Sequence, residues 1–362
     1  MSAEYSCHFS TEFESTIEFA SIEANSLIDK AASLSDAFFL IDENVFRLYY
    51  QGRTLDRPYF LIKSNEQEKS LKQSEAIYSF LLKNNCSRSN TIVAIGGGIT
   101  TDLAAWVAST FKRGVKLWLV PTTLLSMVDA GIGGKAAVNY QELKNALGCF
   151  YPAERIIICS DFLKTLDEKE YYNGLVEGIK TLIILKDFQR AERILNTKTI
   201  TDHDIEYIAR AKLSICQRDL HDKGERRLLN LGHSFAHIFE SISNYVLPHG
   251  IAVAWGLSFA VNYSYEKQLL NVEDKTILES LANKLLMIND ESLNYKKILF
   301  NDDIIAIIES NLKHLILNDK KNENAIKLVL FEHLDTSIYT EVSIETLERF
   351  IITEFKRIKL NS

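Results

Sequence analysis

The chain reads as a two-part protein: an α/β N-terminal domain with a mostly parallel sheet over residues 1–160, then a mainly α-helical domain over residues 161–362. Three observations predict this. From about Ala37 to Cys159, short β-branched runs alternate with helical patterns, the order expected of parallel strands joined by crossover helices. After Asp161 the pattern changes to long amphipathic stretches. The chain has 362 residues, 46% of them hydrophobic, enough for more than one core at ~100–200 residues per domain.

Taken in order, Phe38 to Ile41, Tyr59 to Ile62, Thr91 to Ile95, Lys116 to Val120 and Arg155 to Ile158 read as strands. Gln67 to Leu82 and Asp102 to Thr110 carry helical periodicity between them, which makes this half a nucleotide-domain candidate. Beyond Asp161, helices are expected over Glu168 to Leu185, Ile205 to Leu220, Arg226 to Ser243, Gly250 to Glu266, Asp274 to Leu286, Asp302 to Leu315 and Ile344 to Ile358. Ala325 to Phe331 and Ser337 to Thr340 read as short strands. There is no internal repeat, low-complexity tract or proline-rich linker, and the whole chain holds only four prolines.

A net charge of −7 without any basic run argues against nucleic acid as a partner. The five cysteines are scattered and odd in number, as in a reduced cytoplasmic protein rather than a disulfide framework. No window reaches the ~18 consecutive apolar residues of a membrane span, so no membrane partner is expected.

In the first half, Gly96-Gly97-Gly98 follows an apolar strand and precedes Thr100-Thr101-Asp102 at a helix start. Backbone amides there can approach a pyrophosphate at a helix N-terminus, and a tight strand-to-helix turn would use the same glycines. Pro121-Thr122-Thr123 stands at a strand's carboxyl end, where hydroxyls meet a ligand or cap a helix. Asp129, Lys135, Lys144 and Asn145 follow in a stretch broken by Gly131, Gly133 and Gly134, which reads as a glycine-loosened loop carrying charged groups.

In the second half, Glu177 sits among Leu175, Val176 and Ile179, three residues before Lys180. The spacing fits a surface ion pair; a buried carboxylate there would need a metal or a cation beside it. His233 and His237 lie one helical turn apart, and Pro248-His249-Gly250 opens the next helix. Two imidazoles and a carboxylate form the ligand set of an open catalytic Zn²⁺ site, and none of the cysteines has the spacing of a closed structural one. Either His233 and His237 both bind metal, or His233 binds it while His237 carries protons to substrate. Lys212, Arg226 and Asn230, upstream, suit a phosphate or carboxylate.

Together, Gly96-Gly97-Gly98, Asp102, Lys112-Arg113-Gly114, Pro121-Thr122-Thr123-Leu124-Leu125, Asp129, Gly133-Gly134-Lys135, Val138-Asn139, Lys144-Asn145, Leu163-Lys164-Thr165-Leu166, Gly174-Leu175-Val176-Glu177 and Leu229-Asn230-Leu231-Gly232-His233 resemble the 3-dehydroquinate synthases of the sugar-phosphate cyclase superfamily, from roughly Leu40 to Phe331. The resemblance implies an NAD- and metal-dependent lyase of the shikimate pathway, which converts 3-deoxy-D-arabino-heptulosonate 7-phosphate into 3-dehydroquinate and phosphate. By position, Glu177, His233 and His249 match its metal ligands, for Zn²⁺ or Co²⁺. Asp129, Lys135, Asn145, Lys180, Lys212, Arg226, Asn230 and His237 match substrate-contacting and catalytic positions. Arg113 matches an arginine lent to the substrate phosphate by a neighbouring subunit, which implies a homodimer. Asp42, Asn44, Glu66, Lys69, Gly97, Gly98, Asp102, Thr122, Thr123, Lys144 and Thr165 match cofactor positions, and Lys320 and Lys321 match a late lysine pair of which one touches substrate.

The chain departs from that pattern in three places. It reads His249-Gly250-Ile251-Ala252-Val253 where the family usually has an acid at the third position, Thr101 where glycine often precedes the aspartate, and Ala236 where glycine is usual. These leave room for another sugar-phosphate cyclase, acting on sedoheptulose 7-phosphate or glucose 6-phosphate, or for a metal-dependent polyol dehydrogenase.

Overall fold

The computed structural model describes residues 14–50, 55–141, 143–244, 246–288, 292–317 and 325–360. Lys320 and Lys321 lie outside the described residues. The chain forms two compact units: residues 1–122 with 130–164, and residues 123–129 with 165–362. The split is not the contiguous one expected at 160/161, because the short segment Thr123–Asp129 packs with the helical unit.

The first unit runs β1 (Thr16–Phe19), α1 (Ala24–Ala32), β2 (Ala37–Asp42), α2 (Glu43–Tyr49), β3 (Tyr59–Ile62), α3 (Leu71–Lys83), β4 (Thr91–Gly96), α4 (Gly98–Thr110), β5 (Lys116–Pro121), β6 (Lys135–Tyr140), β7 (Leu143–Phe150) and β8 (Arg155–Ile158). Six strands form one parallel sheet in the order β1-β8-β5-β4-β2-β3. Every residue of β2 and β4 is buried, which explains their unbroken apolar runs: a parallel sheet covered on both faces has no polar side to alternate with. The loop expected to carry Lys135 and Asn145 is instead an antiparallel hairpin, β6 paired with β7, after a turn at residues 131–134. Its glycines shorten the apolar runs below what strand periodicity can detect.

The second unit begins with α5 (Glu168–Ile184), α6 (Phe188–Thr197) and α7 (Asp202–Arg218), followed by α8 (His233–Ile242), α9 (His249–Glu266), α10 (Val272–Leu286), α11 (Ser292–Leu299) and α12 (Asp302–Leu317). A two-stranded antiparallel hairpin, β9 (Ala325–His333) and β10 (Thr336–Ser343), precedes α13 (Ile344–Leu360). Helix α9 is the centre of this unit, buried along almost its whole length from Gly250 to Ser264 and packed against α5, α8, α10 and β9. An aromatic cluster closes one end of it: Phe259 meets Phe239 edge-on at 4.9 Å, and Tyr263 lies 4.7 Å from Phe350.

Two close approaches set the helix positions. A Cβ on Gly174 would collide with the backbone of Leu124 and Leu125, so this glycine lets α5 bear directly on the Thr123–Asp129 segment. Likewise a Cβ on Gly256 would collide with the Gly232 carbonyl, where α9 passes the start of α8. Gly232 itself has φ +79°, and that left-handed residue breaks the expected helix 226–243 near its start. Residues Glu225–Asn230 form a 3-10 turn, and α8 starts only at His233. Arg226 and Asn230 are therefore not on the helix that carries His233.

At the start of α7, Thr201 and Asp204 form a reciprocal capping box, and the buried Asp204 carboxylate also accepts from Arg190 (2.8 Å) and Arg193 (2.6 Å). Burial opposes its ionisation, but the Thr201 and arginine hydrogen bonds outweigh this and hold the carboxyl well below the usual range.

Candidate metal centre and nucleotide loops

Glu177 occupies the middle of α5 and is fully buried. His233 is the first residue of α8 and His249 the first of α9, so both rings hang from helix starts beside that buried carboxylate. Glu177 Oε1 lies 3.5 Å from His233 Nε2 and 3.4 Å from His249 Nε2, and the three ligand atoms are all within 4.8 Å of one another. Metal–ligand bonds of ~2.0–2.1 Å at a tetrahedral angle put ligand atoms about 3.3–3.4 Å apart, so these separations suit one small divalent cation. Lys180 Nζ is 2.5 Å from Oε2, yet neither carboxylate oxygen receives a hydrogen bond of acceptable angle. Lys180 balances the Oε2 side of the buried carboxylate, whereas Oε1 faces the two imidazoles without a hydrogen bond, a position that a cation would complete. The surface ion pair that i,i+3 spacing allows is thus excluded: both Glu177 and Lys180 are inside.

Burial opposes ionisation of Glu177, but Lys180, His233 and His249 more than offset it and hold the carboxyl well below its ordinary value. Burial, aided by the Lys180 charge, depresses His233 to about 3. Burial acts the same way on His249, but the carboxylates of Glu177 and Glu240 overcome it and lift the ring to about 10.

Around this cluster the same unit holds the other expected substrate groups. Lys212, buried on α7, donates to the Asp129 carbonyl at 2.6 Å and pairs with its carboxylate. Burial works against the Asp129 anion, and Lys212 nevertheless holds it below the ordinary carboxylate range. Arg226, 2% exposed, donates to Leu220 O at 2.8 Å. Its loop is tied by Asp219, whose carboxylate accepts from the backbone of Lys223, Gly224 and Arg226. Asn230 is half-buried and His237 exposed, with its ring centroid 6.0 Å from that of His233. Thr123 shares a hydrogen bond with Ser126, and Thr165 is exposed at the end of a 3-10 turn.

In the sheet unit, Asp42, Gly96 and Pro121 end the adjacent strands β2, β4 and β5, so Asp42, Gly97, Gly98 and Thr122 gather at the sheet's carboxyl edge. Asp42 caps α2, accepting from the backbone of Asn44 and Val45, and Asn44 is exposed. Gly97 caps α4 without any side chain, which keeps the helix start open to a phosphate. Beside that edge runs a polar network. Lys69 Nζ donates to Asp102 (2.6 Å) and to Asn145 (2.5 Å), while Asn139 donates to Glu66 Oε1 (2.8 Å) and accepts from the Asn145 backbone (2.8 Å). Lys135 and Lys144 are exposed on the hairpin, and Arg113 is exposed in a left-handed turn with φ 66°. Asn139 and Glu240 were not singled out from the residues as site groups. Asn139 shows no spacing signal, and Glu240 looks like an ordinary helix acid until α9 is seen to bring His249 against it.

Family models for the N-terminal and the C-terminal part of 3-dehydroquinate synthase match residues 59–173 and 173–322. A 3-dehydroquinate synthase from Clostridium tetani is 34% identical over 335 residues, covering 89% of this chain and 86% of its own. One from Legionella pneumophila is 34% identical, covering 82% and 81%. Among solved structures, a 2-deoxy-scyllo-inosose synthase complexed with carbaglucose-6-phosphate, NAD⁺ and Co²⁺ has TM-score 0.77 at 21% identity, covering 93% of this chain and 96% of that one. A 2-epi-5-epi-valiolone synthase from Streptomyces hygroscopicus, with NAD⁺ and Zn²⁺ bound, has TM-score 0.73 at 23% identity, covering 98% and 99%. The likeness to these two structures is one of fold, whereas the family models and the close relatives settle descent: the chain belongs to the 3-dehydroquinate synthase family.

Proposed function

We propose that the protein converts 3-deoxy-D-arabino-heptulosonate 7-phosphate into 3-dehydroquinate and phosphate, using NAD⁺ and a divalent cation, Zn²⁺ or Co²⁺. The observation that carries this reading is the buried Glu177 carboxylate, whose Oε1 faces His233 and His249, within a chain of that family.

When bound, NAD⁺ supplies a hydride acceptor that returns its hydride, and the cation supplies Lewis acidity that makes the neighbouring C–H acidic enough for phosphate to leave. Glu177, His233 and His249 hold the cation. Lys180, fixed against Glu177 Oε2, adds a positive charge that does not depend on solvent. Lys212 and Arg226 supply cationic groups for the substrate's carboxylate and phosphate, with Lys212 held ready by Asp129 and Arg226 by its own loop. Asn230 orients substrate, and an imidazole nitrogen of His237 carries the remaining proton. Lys135 and Asn145 contribute from the hairpin, and Lys320 from the late lysine pair. Gly97, Gly98, Asp102, Thr122, Thr123, Asp42, Asn44, Glu66, Lys69, Lys144 and Thr165 hold the dinucleotide.

A cytoplasmic homodimer belongs to the same reading, with Arg113 serving the neighbouring subunit's phosphate. Buried free thiols at Cys86, Cys159 and Cys216 support a reducing compartment. Among the described residues no helix is long and apolar enough to cross a membrane.

The test is a product assay: purified protein, NAD⁺ and Zn²⁺ are incubated with the heptulosonate phosphate, sedoheptulose 7-phosphate or glucose 6-phosphate, and released phosphate is followed with NADH. Phosphate from the heptulosonate without net NADH is expected. Release only from a carboxylate-free sugar assigns another cyclase activity, and accumulating NADH assigns a dehydrogenase.

A further inference from the structure

A metal-bound imidazole ligates through one nitrogen, and the other nitrogen must donate its proton to something if the ring is to hold one tautomer and one orientation. His233 meets this need locally: its Nδ1 lies 3.3 Å from the Leu231 carbonyl, leaving Nε2 toward Glu177. His249 opens α9 after Pro248, and among the described residues no backbone carbonyl plays that part for it. The group at its Nδ1, 3.2 Å away, is the carboxylate Oε1 of Glu240, near the end of α8. Glu240 is 7% exposed and lies between Phe239 and Ile242, both buried, on a helix whose inward face is otherwise apolar. A carboxylate in that setting is stabilised by the ring it faces. Position 251, where the resemblance leads one to expect an acid, holds Ile251, 1% exposed. The acid on His249 therefore comes from a different helix.

We infer that Glu240 is the positioning residue of the metal centre: it accepts the Nδ1 proton of His249 and so directs Nε2 at the cation held with Glu177 and His233. The inference rests on the metal reading proposed above. Glu240 touches neither substrate nor metal, so its effect is on metal affinity and ligand geometry.

The test uses the full-length protein stripped of metal and titrated with Zn²⁺ against a chromophoric chelator and with Co²⁺ by its visible absorption, for wild type, Glu240→Gln and Glu240→Ala. Wild type binds one equivalent. Glu240→Ala weakens binding about 10- to 100-fold and alters the Co²⁺ spectrum, whereas Glu240→Gln, which keeps an acceptor oxygen, falls between the two. Metal-free melting curves separate this from a packing loss, and if Glu240→Ala does not fold, Glu240→Gln alone decides. Unchanged affinity and an unchanged Co²⁺ spectrum in the folded variant overturn the inference while leaving the metal site standing. Failure of wild type to bind either ion overturns both.

Discussion

The two units hold their charged groups in opposite ways. At the sheet edge, Lys69, Asp102, Asn145, Asn139 and Glu66 bond one another, so a dinucleotide bound there as proposed would have to exchange existing hydrogen bonds for its own. In the helical unit, Glu177 is fully buried, with Lys180 paired to Oε2 and Oε1 facing two imidazoles without a hydrogen bond, so a cation bound at Oε1 as proposed would add bonds there and need not displace that ion pair. The first kind of site is a polar surface that can stand empty; the second is an incomplete shell whose deficit is itself the binding energy. That contrast accounts for the difference in scaffold as well. Exchangeable groups sit on a short 3-10 turn, the first turns of α4 and a hairpin, whereas the Glu177 carboxylate is fixed mid-helix among packed neighbours.

The strongest way to break the comparison is His249→Ala. Loss of a ligand should reduce metal affinity by more than the ~100-fold that removal of an outer partner costs, and abolish turnover, with the far-ultraviolet dichroism preserved. A zinc-replete, active variant would mean that His249 is no ligand. Next in size, Phe259→Ala in the aromatic cluster should lower unfolding free energy by ~3–5 kcal/mol in urea while the folded fraction still binds one metal equivalent, which separates core from site.

Asp204→Asn probes a buried acid that, unlike Glu177, is fully bonded. It should cost ~1–3 kcal/mol at pH 7. The folded carboxyl titrates below the unfolded one, so its contribution is complete above the unfolded value of ~3.9 and is lost gradually as pH falls from there through the lower folded one. Urea midpoints of wild type and variant should therefore stay apart at neutral pH and draw together only as pH is lowered progressively below ~3.9, and a gap that does not narrow on acidification removes the ionic explanation. The smallest effect is expected from Lys69→Ala: about tenfold weaker NAD⁺ binding by calorimetry with zinc stoichiometry unchanged, since the neighbouring groups at the sheet edge can re-pair.

The parallel sheet was legible because strands covered on both faces read as continuous apolar runs, and α9 and α5 because their length leaves the helical period unmistakable. The hairpin β6–β7 was not, since glycines and charged residues hide its pairing. The edge strand β1 was missed because only four residues pair, with β8. The helix boundary at His233 was misjudged because Leu228, Leu229 and Leu231 continue an apolar period that one left-handed glycine interrupts. At the metal centre the residue types of Glu177, His233 and His249 pointed to a ligand set, but burial decides between ligand and ion pair, and burial belongs to packing. Glu240 was invisible for the same reason: its partner lies on the next helix, and helical periodicity compares a residue only with its own turn neighbours.

The seating of Thr123–Asp129 against Gly174 has a consequence for how the polypeptide can be divided. The chain enters the helical unit, returns to finish the sheet and enters again, so no single cut releases both halves whole. A fragment starting at residue 165 would lack Leu124, Met127 and Val128, all fully buried in the intact protein, and would strip Lys212 of the carboxylate it pairs with. Such a fragment should be prone to aggregate, and only a version that supplies those seven residues again, by circular permutation or as a peptide, should recover a well-ordered helical half.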